Sequence, residues 1–111
     1  MSNSGFIRVA QITDVKEGTA KVFTVGEVRI ALCNVEEKFY AIADICTHDG
    51  GPLGEGELDD CQIECPRHGA RFDVRTGKAL CLPAVINVPT YPVEVRDSEV
   101  FVNCHPAAVG S

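Results

Sequence analysis

Apolar and polar positions alternate along much of this chain with the period of two that is typical of β-strands. Residues Val28 to Cys33 show this alternation, which predicts a half-buried strand, and Phe39 to Ala43 form a matching segment. The polar residues between the two segments predict a hairpin with a loop of about four or five residues. Thr19 to Val25 precedes this hairpin as a further predicted strand. The first third of the chain therefore predicts an antiparallel sheet.

A second hairpin is predicted near the end of the chain. Tyr91 to Arg96 and Val100 to Asn103 are strand-like segments, and they bracket a short polar turn at Asp97 and Ser98. The only candidate for a helical turn is the segment from Asp14 to Glu17. The fold class predicted from these patterns is all-β.

The middle of the chain is predicted to form two loops that project from one small sheet. Residues Cys46 to Gly56 contain too many glycines and prolines for a regular element, so they are predicted to be a loop. Leu58 to Glu64 and Ala70 to Val74 are predicted strands. A second loop, containing Arg67 to Gly69, connects them.

Length and charge restrict the function. The chain has 111 residues and a net charge of −6, so it suits a single domain that repels phosphate backbones and anionic lipid surfaces. The N-terminal residues show no export signal, and prolines interrupt the apolar stretch from Ala79 to Val93. We therefore expect a cytoplasmic protein that binds neither nucleic acid nor membrane. In a reducing cytoplasm its six cysteines indicate metal binding or buried thiols instead of disulfides.

Two motifs carry the candidate chemistry, one in each loop. Cys46 and His48 are separated by one residue, and Cys65 and His68 are separated by two, so each loop offers one thiolate and one imidazole. Structural zinc sites usually have longer spacers and pair like ligands within one loop. The motifs fit better a site with two adjacent metals, one bound by both cysteines and the other by both histidines. That is the ligand arrangement of a Rieske-type 2Fe-2S cluster.

With these motifs, the sequence resembles the Rieske ferredoxins of bacterial ring-hydroxylating dioxygenase systems. The resemblance includes RFDVRTGKALCLP, from Arg71 to Pro83, and extends from about Phe6 to Asn103. It implies the Rieske fold, which is a small antiparallel β-sandwich or barrel-like base with an inserted cluster-binding β subdomain. The base would be residues 1–43 and 84–103, the subdomain residues 44–83, and residues 104–111 a loose tail. It also implies one Rieske 2Fe-2S cluster per chain, held by Cys46, His48, Cys65 and His68.

Departures from the high-potential Rieske proteins of cytochrome complexes indicate a low reduction potential. At the positions of their two disulfide-forming cysteines this chain has Gly51 and Arg67. Ala70 and Phe72 occupy the positions of a serine and a tyrosine whose hydroxyls assist the cluster in that branch. With fewer donors the extra charge of the reduced cluster is less stabilised, so we expect a potential near the low end of the Rieske range.

The predicted function is electron transfer, and the resemblance implies the partners. A monomeric carrier would dock transiently with a flavin-dependent ferredoxin reductase and with a terminal Rieske non-haem iron oxygenase. Two alternatives stay open at this stage, namely a fixed Rieske-like small subunit of a larger reductase, such as nitrite reductase, and a structural zinc domain. The sequence offers no catalytic residues, because His105 is the only histidine beyond the two predicted ligands.

The other four cysteines are not assigned to the cluster. Cys33, Cys61 and Cys81 lie in or near apolar strand-like segments, and we expect them to be small buried hydrophobic residues. Cys104 is assigned to the loose tail.

Overall fold

The chain forms three antiparallel sheets in the computed structural model, which describes residues 6–26, 28–44, 54, 56–65, 69–81 and 87–104. The first sheet has the strand order β1-β11-β10, the second β2-β3-β4-β9 and the third β5-β6-β7-β8. The strands are β1 (Ile7–Gln11), β2 (Thr19–Val25), β3 (Val28–Val35), β4 (Lys38–Ala43), β5 (Glu57–Asp59), β6 (Gln62–Glu64), β7 (Arg71–Asp73), β8 (Ala79–Cys81), β9 (Thr90–Tyr91), β10 (Val93–Arg96) and β11 (Glu99–Val102). The all-β prediction is confirmed.

The hairpin between β3 and β4 has a two-residue turn, so the predicted loop of four or five residues is wrong. Val35 stays in β3 and pairs with Lys38, which leaves only Glu36 and Glu37 between the strands. Their φ angles are 54° and 72°, and positive φ at both positions is the signature of a type I′ turn. The buried side chain of Asn34 accepts the Glu37 N–H at 2.8 Å and so supports the turn.

The third sheet contains one more hairpin than the sequence predicted. The segment Leu58 to Glu64 is two strands, β5 and β6, joined by a turn at Asp60 and Cys61. Asp60 has a φ of 59°, a conformation that aspartate tolerates better than most residues, so a turn forms inside an apparently continuous strand. The strand predicted from Ala70 to Val74 is observed as β7, whereas β8 was not predicted. The third sheet takes all its strands from residues 57–81, and the exact subdomain boundaries stay a prediction.

The second sheet lies between the other two, and its central strands contribute to a core on each face. The core that it shares with the third sheet contains Ala31, Cys33, Val35, Ile42, Ile63, Phe72 and Val74. The core that it shares with the first sheet contains Ala10, Ile30, Leu32, Ala41, Val100 and Val102. The half-buried strand predicted at Val28 to Cys33 is therefore buried on both faces over Ile30 to Val35. This is sterically allowed because Ala31 and Cys33, at the alternate positions, are small enough to pack against another layer.

Pro92 marks the point where the chain passes from the second sheet to the first. Tyr91 pairs with Ala41 in the second sheet, while Val93 pairs with Val102 in the first. A proline lacks the N–H that a continuous ladder needs, so the strand predicted from Tyr91 onward is divided here. The predicted turn at Asp97 and Ser98 is confirmed.

The N-terminal region differs from its prediction in two places. The expected helical turn at Asp14 to Glu17 is a 3₁₀ turn at Ile12–Asp14, because the Asp14 carboxylate accepts the Gln11 N–H at 2.9 Å and starts the turn earlier. Strand β1 was not predicted, and its partner β11 comes from the opposite end of the sequence. No helix among the described residues has the length and apolar character needed to cross a bilayer.

Candidate metal centre

The loop between β6 and β7 carries the second predicted ligand motif. Cys65 follows the end of β6, and its side chain is only 1% exposed. Two backbone hydrogen bonds close the loop, from the Cys65 N–H to the Ala70 carbonyl at 2.7 Å and from the Gly69 N–H to the Cys65 carbonyl at 3.0 Å. Gly69 has a φ of 78°, which favours glycine over any other residue. The structure thus fixes Cys65 at the start of a short closed loop, and His68 lies outside the described residues.

The loop between β4 and β5 carries the first motif, and a side chain joins its two ends. Strand β4 ends at Ala43, and the carboxylate of the next residue, Asp44, accepts the Gly54 N–H at 2.6 Å. The predicted ligands Cys46 and His48 belong to the segment between these two points, outside the described residues. This hydrogen bond therefore holds the two ends of the first loop next to each other.

One hydrophobic core underlies both loops. Ala43, where the first loop begins, belongs to the same buried cluster as Cys65 and Ala70, which flank the second loop. Phe72 is the largest fully buried side chain of that cluster. The tertiary structure consequently brings the described ends of the two motif-bearing loops onto a common support, although they are far apart in sequence.

The thiol of Cys65, the one predicted ligand that the structure describes, suits an iron-sulfur cluster. Cys65 is a free thiol, as are Cys33, Cys61 and Cys104, so none of these four is consumed by a disulfide. Sulfur ligands in a water-poor site favour iron-sulfur clusters and other soft metals. No group of three or more potential metal ligands occurs within the described residues, which include only one of the four predicted ligands.

Charged side chains cover the outer face of the third sheet beside these loops. The residues Glu57, Asp59, Glu64, Arg71 and Asp73 alternate with the buried positions of their strands. The Arg71 guanidinium lies 3.2 Å from the Glu64 carboxylate and 3.7 Å from that of Asp59. Hydrogen bonds from the Arg75 side chain and backbone hold the pKa of the Asp73 carboxyl below its usual value. This face is acidic, with two arginines that compensate part of its charge.

Comparison with known proteins identifies the family. The model of the Rieske [2Fe-2S] domain matches residues 5–92, which is most of the chain. The chain belongs to the Rieske [2Fe-2S] domain family. This Rieske domain is 47% identical, over 98 residues, to the 3-phenylpropionate/cinnamic acid dioxygenase ferredoxin subunit of Shigella boydii serotype 4 (strain Sb227). The match covers 87% of this chain and 92% of that subunit.

Solved structures support the same assignment. The ferredoxin of carbazole 1,9a-dioxygenase from Nocardioides aromaticivorans IC177 superimposes with a TM-score of 0.86 and 36% identity, covering 89% of this Rieske domain and 97% of that chain. A chain from a complex of reduced oxygenase and oxidized ferredoxin in carbazole 1,9a-dioxygenase has a TM-score of 0.84 and 37% identity. The match covers 91% of this Rieske domain and 94% of that chain. The predicted Rieske fold is confirmed.

Family membership also confirms the predicted cofactor, because the domain is defined by its 2Fe-2S cluster. The structural zinc alternative is therefore set aside. The assignment of Cys46, His48, Cys65 and His68 as ligands stays a prediction, since only Cys65 lies within the described residues.

Two positions near the second loop lack hydroxyl groups, as expected from the sequence. Ala70 and Phe72 of this Rieske domain are both fully buried. Their side chains can offer no hydrogen bond to a cluster sulfide. The low reduction potential that this implies stays a prediction.

The remaining cysteines only partly follow their predictions. Cys33 is fully buried, as predicted, and burial raises the pKa of its thiol to about 12. Cys61 is half-buried in the turn between β5 and β6, where a strand position was expected. Cys104 was assigned to a loose tail, but it is buried in the core between the first and second sheets, and burial raises the pKa of its thiol. Cys81 belongs to β8, and residues 105–111 lie outside the described residues.

The residues that close the first loop were not predicted from the sequence. The Arg29 guanidinium reaches the Asp44 carboxylate at 2.8 Å, and that carboxylate in turn accepts the Gly54 N–H. An acidic residue two positions before Cys46 and a glycine at the far end of the loop were the available signals. Neither signal identifies a hydrogen bond, because the contact depends on how the loop folds back.

Proposed function

We propose that this Rieske domain is the ferredoxin component of an aromatic ring-hydroxylating dioxygenase system. It carries one electron at a time from a flavin-dependent reductase to a Rieske non-haem iron oxygenase. The observation that carries the proposal is the 47% identity with a dioxygenase ferredoxin subunit over 92% of that subunit's length. The match extends over most of that ferredoxin subunit, so it supports a ferredoxin role as well as the presence of the domain.

The oxygenase as electron acceptor is supported by the related complex of reduced oxygenase and oxidized ferredoxin. The flavin-dependent reductase as donor, the monomeric state, transient docking and the cytoplasmic location are parts of the same proposal. The net charge of −6 favours docking through salt-sensitive charge pairs, which speed association without producing a permanent complex. Relatives named as ferredoxins also favour a carrier over a fixed reductase subunit.

In this proposal Cys46 and Cys65 bind one iron, and His48 and His68 bind the other. When bound, such a cluster accepts and returns a single electron. The protein contributes rigidity, since backbone hydrogen bonds of Cys65 with Gly69 and Ala70 fix the main chain of that ligand. Residues 44–83 form the cluster-binding subdomain, and the base supports it through the second sheet.

We further propose that the domain is a carrier and not a catalyst. A mononuclear iron site of the oxygenase type needs two histidines and a carboxylate. The sequence has three histidines, of which two are assigned to the cluster, so only His105 is left. Substrate oxidation therefore occurs on the partner protein.

The ligand assignment is tested by electron paramagnetic resonance of the dithionite-reduced protein, combined with iron, sulfide and zinc analysis. We expect about two irons per chain and a low average g value from mixed histidine and cysteine ligation. Cys65→Ser and His68→Asn should lose this signal. Cys61→Ser and His105→Asn, which change the same residue types outside the predicted site, should keep it. A silent spectrum with stoichiometric zinc in the wild type would refute the proposal.

The carrier role is tested by stopped-flow spectroscopy with purified reductase and oxygenase. Catalytic amounts of the ferredoxin should accelerate reduction of the oxygenase, and the rate should fall as salt is added because docking charges are screened. Size-exclusion chromatography should show a monomer that does not co-elute with either partner. Stoichiometric co-elution with a reductase at high salt would instead establish a fixed subunit.

A further inference from the structure

Asp44 is a buried carboxylate beside a predicted ligand loop. Its side chain is 0% exposed, and it accepts hydrogen bonds from the Gly54 N–H at 2.6 Å and from Arg29 at 2.8 and 3.2 Å. Removing a carboxylate from water is costly unless charged and polar partners replace the water. Arg29 and Gly54 lie on two separate segments, so Asp44 connects its own segment to both of them.

Asp44 lies at the start of the loop that contains two of the predicted ligands. The residue follows the end of β4 and lies two residues before Cys46. Its backbone N–H donates to the Arg29 carbonyl at 3.1 Å, so main chain and side chain both attach it to β3. The side chain then reaches across to Gly54, beyond the far end of the segment that contains Cys46 and His48.

Gly54 can make this contact because it has no side chain. A Cβ atom at residue 54 would collide with the Val22 side chain and would lie 3.1 Å from the Asp44 carboxylate and 3.2 Å from the Ala31 Cβ. Only a glycine therefore lets the backbone approach β2 and β3 closely enough to donate its N–H to Asp44. The small size of Gly54 therefore permits the hydrogen bond to Asp44.

The two motif-bearing loops are closed in different ways. Backbone hydrogen bonds between Cys65 and residues 69 and 70 close the second loop directly. The first loop has a longer connecting segment, residues 45–53, whose closure costs more chain entropy. A charged side chain at its base offsets that cost by holding both ends against the central sheet.

We propose that Asp44 is a positioning residue, which with Arg29 and Gly54 clasps the loop of Cys46 and His48 in the conformation that holds the iron. The inference rests on the ligand assignment made under Proposed function. Asp44 contacts no iron in this scheme and acts only through the loop. Loss of the clasp should let that loop open, so that the cluster is lost more readily while the second loop stays closed.

The test measures two properties of the cluster-loaded protein, which are the rate of cluster loss to an iron chelator and the amide hydrogen exchange of each loop. Asp44→Ala should lose its cluster roughly tenfold faster than wild type, as expected when a buried hydrogen bond to a charged group is removed. Exchange in peptides covering residues 45–54 should accelerate, and exchange in residues 65–70 should not. Arg29→Gln, which keeps the Asp44–Gly54 bond, should show a smaller effect in the same direction and provides the test if Asp44→Ala does not fold.

Matched controls separate the clasp from general destabilisation. Asn34→Ala removes another buried polar side chain of β3, which bonds to Val15 and Glu37 in the base. Arg8→Gln breaks the ion pair with Glu99, also 2.8 Å long, in the first sheet. Both should lower the melting temperature without selective exchange of residues 45–54.

The outcomes distinguish this inference from the proposed function. Wild-type cluster loss and exchange in both Asp44→Ala and Arg29→Gln would overturn the clasp, as would equal acceleration at both loops. A wild-type protein without two irons would overturn the ligand assignment on which the clasp depends.

Discussion

Cys33 shows how strongly burial by itself changes a side chain in this protein. The thiol is fully buried in β3, and loss of water raises its pKa from 9.0 to about 12. Such a thiol stays protonated at neutral pH and makes a poor metal ligand or nucleophile. Cys65 is also buried, so the two cysteines differ in location and not in burial: Cys33 lies within β3, whereas Cys65 lies in a loop.

This shift predicts a loss of stability at alkaline pH. The folded-state pKa of Cys33 lies above the unfolded value, so its contribution is complete below about pH 9 and disappears as pH rises toward 12. Between pH 8 and 10.5 the wild type should lose about 2 kcal/mol from this residue. Urea unfolding at both pH values measures it. Cys33→Ala should lack this part of the decrease and the control Cys61→Ala should retain it, whereas equal decreases in wild type and Cys33→Ala would contradict the prediction.

Among the elements, the two tight hairpins differ in how well their residues suit the turn. Both have two central residues with positive φ, which are Glu36 and Glu37 in one hairpin and Asp97 and Ser98 in the other. Aspartate adopts this conformation at lower cost than glutamate, and asparagine followed by glycine is the preferred pair. The β3–β4 turn therefore contains more unrelieved backbone strain.

Replacing Glu36 with Asn and Glu37 with Gly should stabilise the protein by about 1 to 2 kcal/mol, because the strain of a left-handed residue is removed. The hydrogen bond that the backbone N–H of residue 37 donates to the Asn34 side chain is kept. The equivalent change of Asp97 to Asn and Ser98 to Gly is the control and should give a smaller gain. Urea unfolding compares the two, and a larger gain at Asp97 and Ser98 would be the opposite result.

For the whole molecule, the decisive feature is that one sheet supports two cores. Leu32 faces the core shared with the first sheet, while its neighbour Cys33 faces the core shared with the third. We therefore expect a disturbance on one face of β3 to reach the sheet from which the second motif-bearing loop projects. The molecule should unfold as one cooperative unit despite its three sheets.

Leu32→Ala should accordingly destabilise both the fold and the metal centre. Deleting a fully buried leucine typically costs about 2 to 5 kcal/mol. Far-ultraviolet circular dichroism and the visible absorbance of the cluster should shift together to lower urea concentration. Val95→Ala, at a position 46% exposed on the first sheet, is the control and should change little. An unchanged visible transition in Leu32→Ala would show that the third sheet unfolds independently.

Local patterns accounted for most strands and for the chemical nature of the candidate site. Period-two alternation located β2, β3, β4, β7 and the C-terminal hairpin. Successive residues of a strand face opposite sides of the sheet, so the alternation is visible in the sequence of each strand. The pairing of cysteine with histidine in each loop indicated the cluster, since ligand type is a property of the residues themselves. The pattern missed β1, whose partner β11 comes from the opposite end of the chain, and β8, whose three residues are all apolar and show no alternation.

The sequence by itself determined the all-β class and the family, and it predicted the donor types of the metal centre. The tertiary structure decided which strands share a sheet, why β3 is buried on both faces, and how Arg29, Asp44 and Gly54 meet at the base of the first loop. The physical reason is the range of the interactions. Propensity and ligand chemistry are properties of single residues and their neighbours, whereas layer packing and a cross-loop hydrogen bond exist only after distant segments have come together.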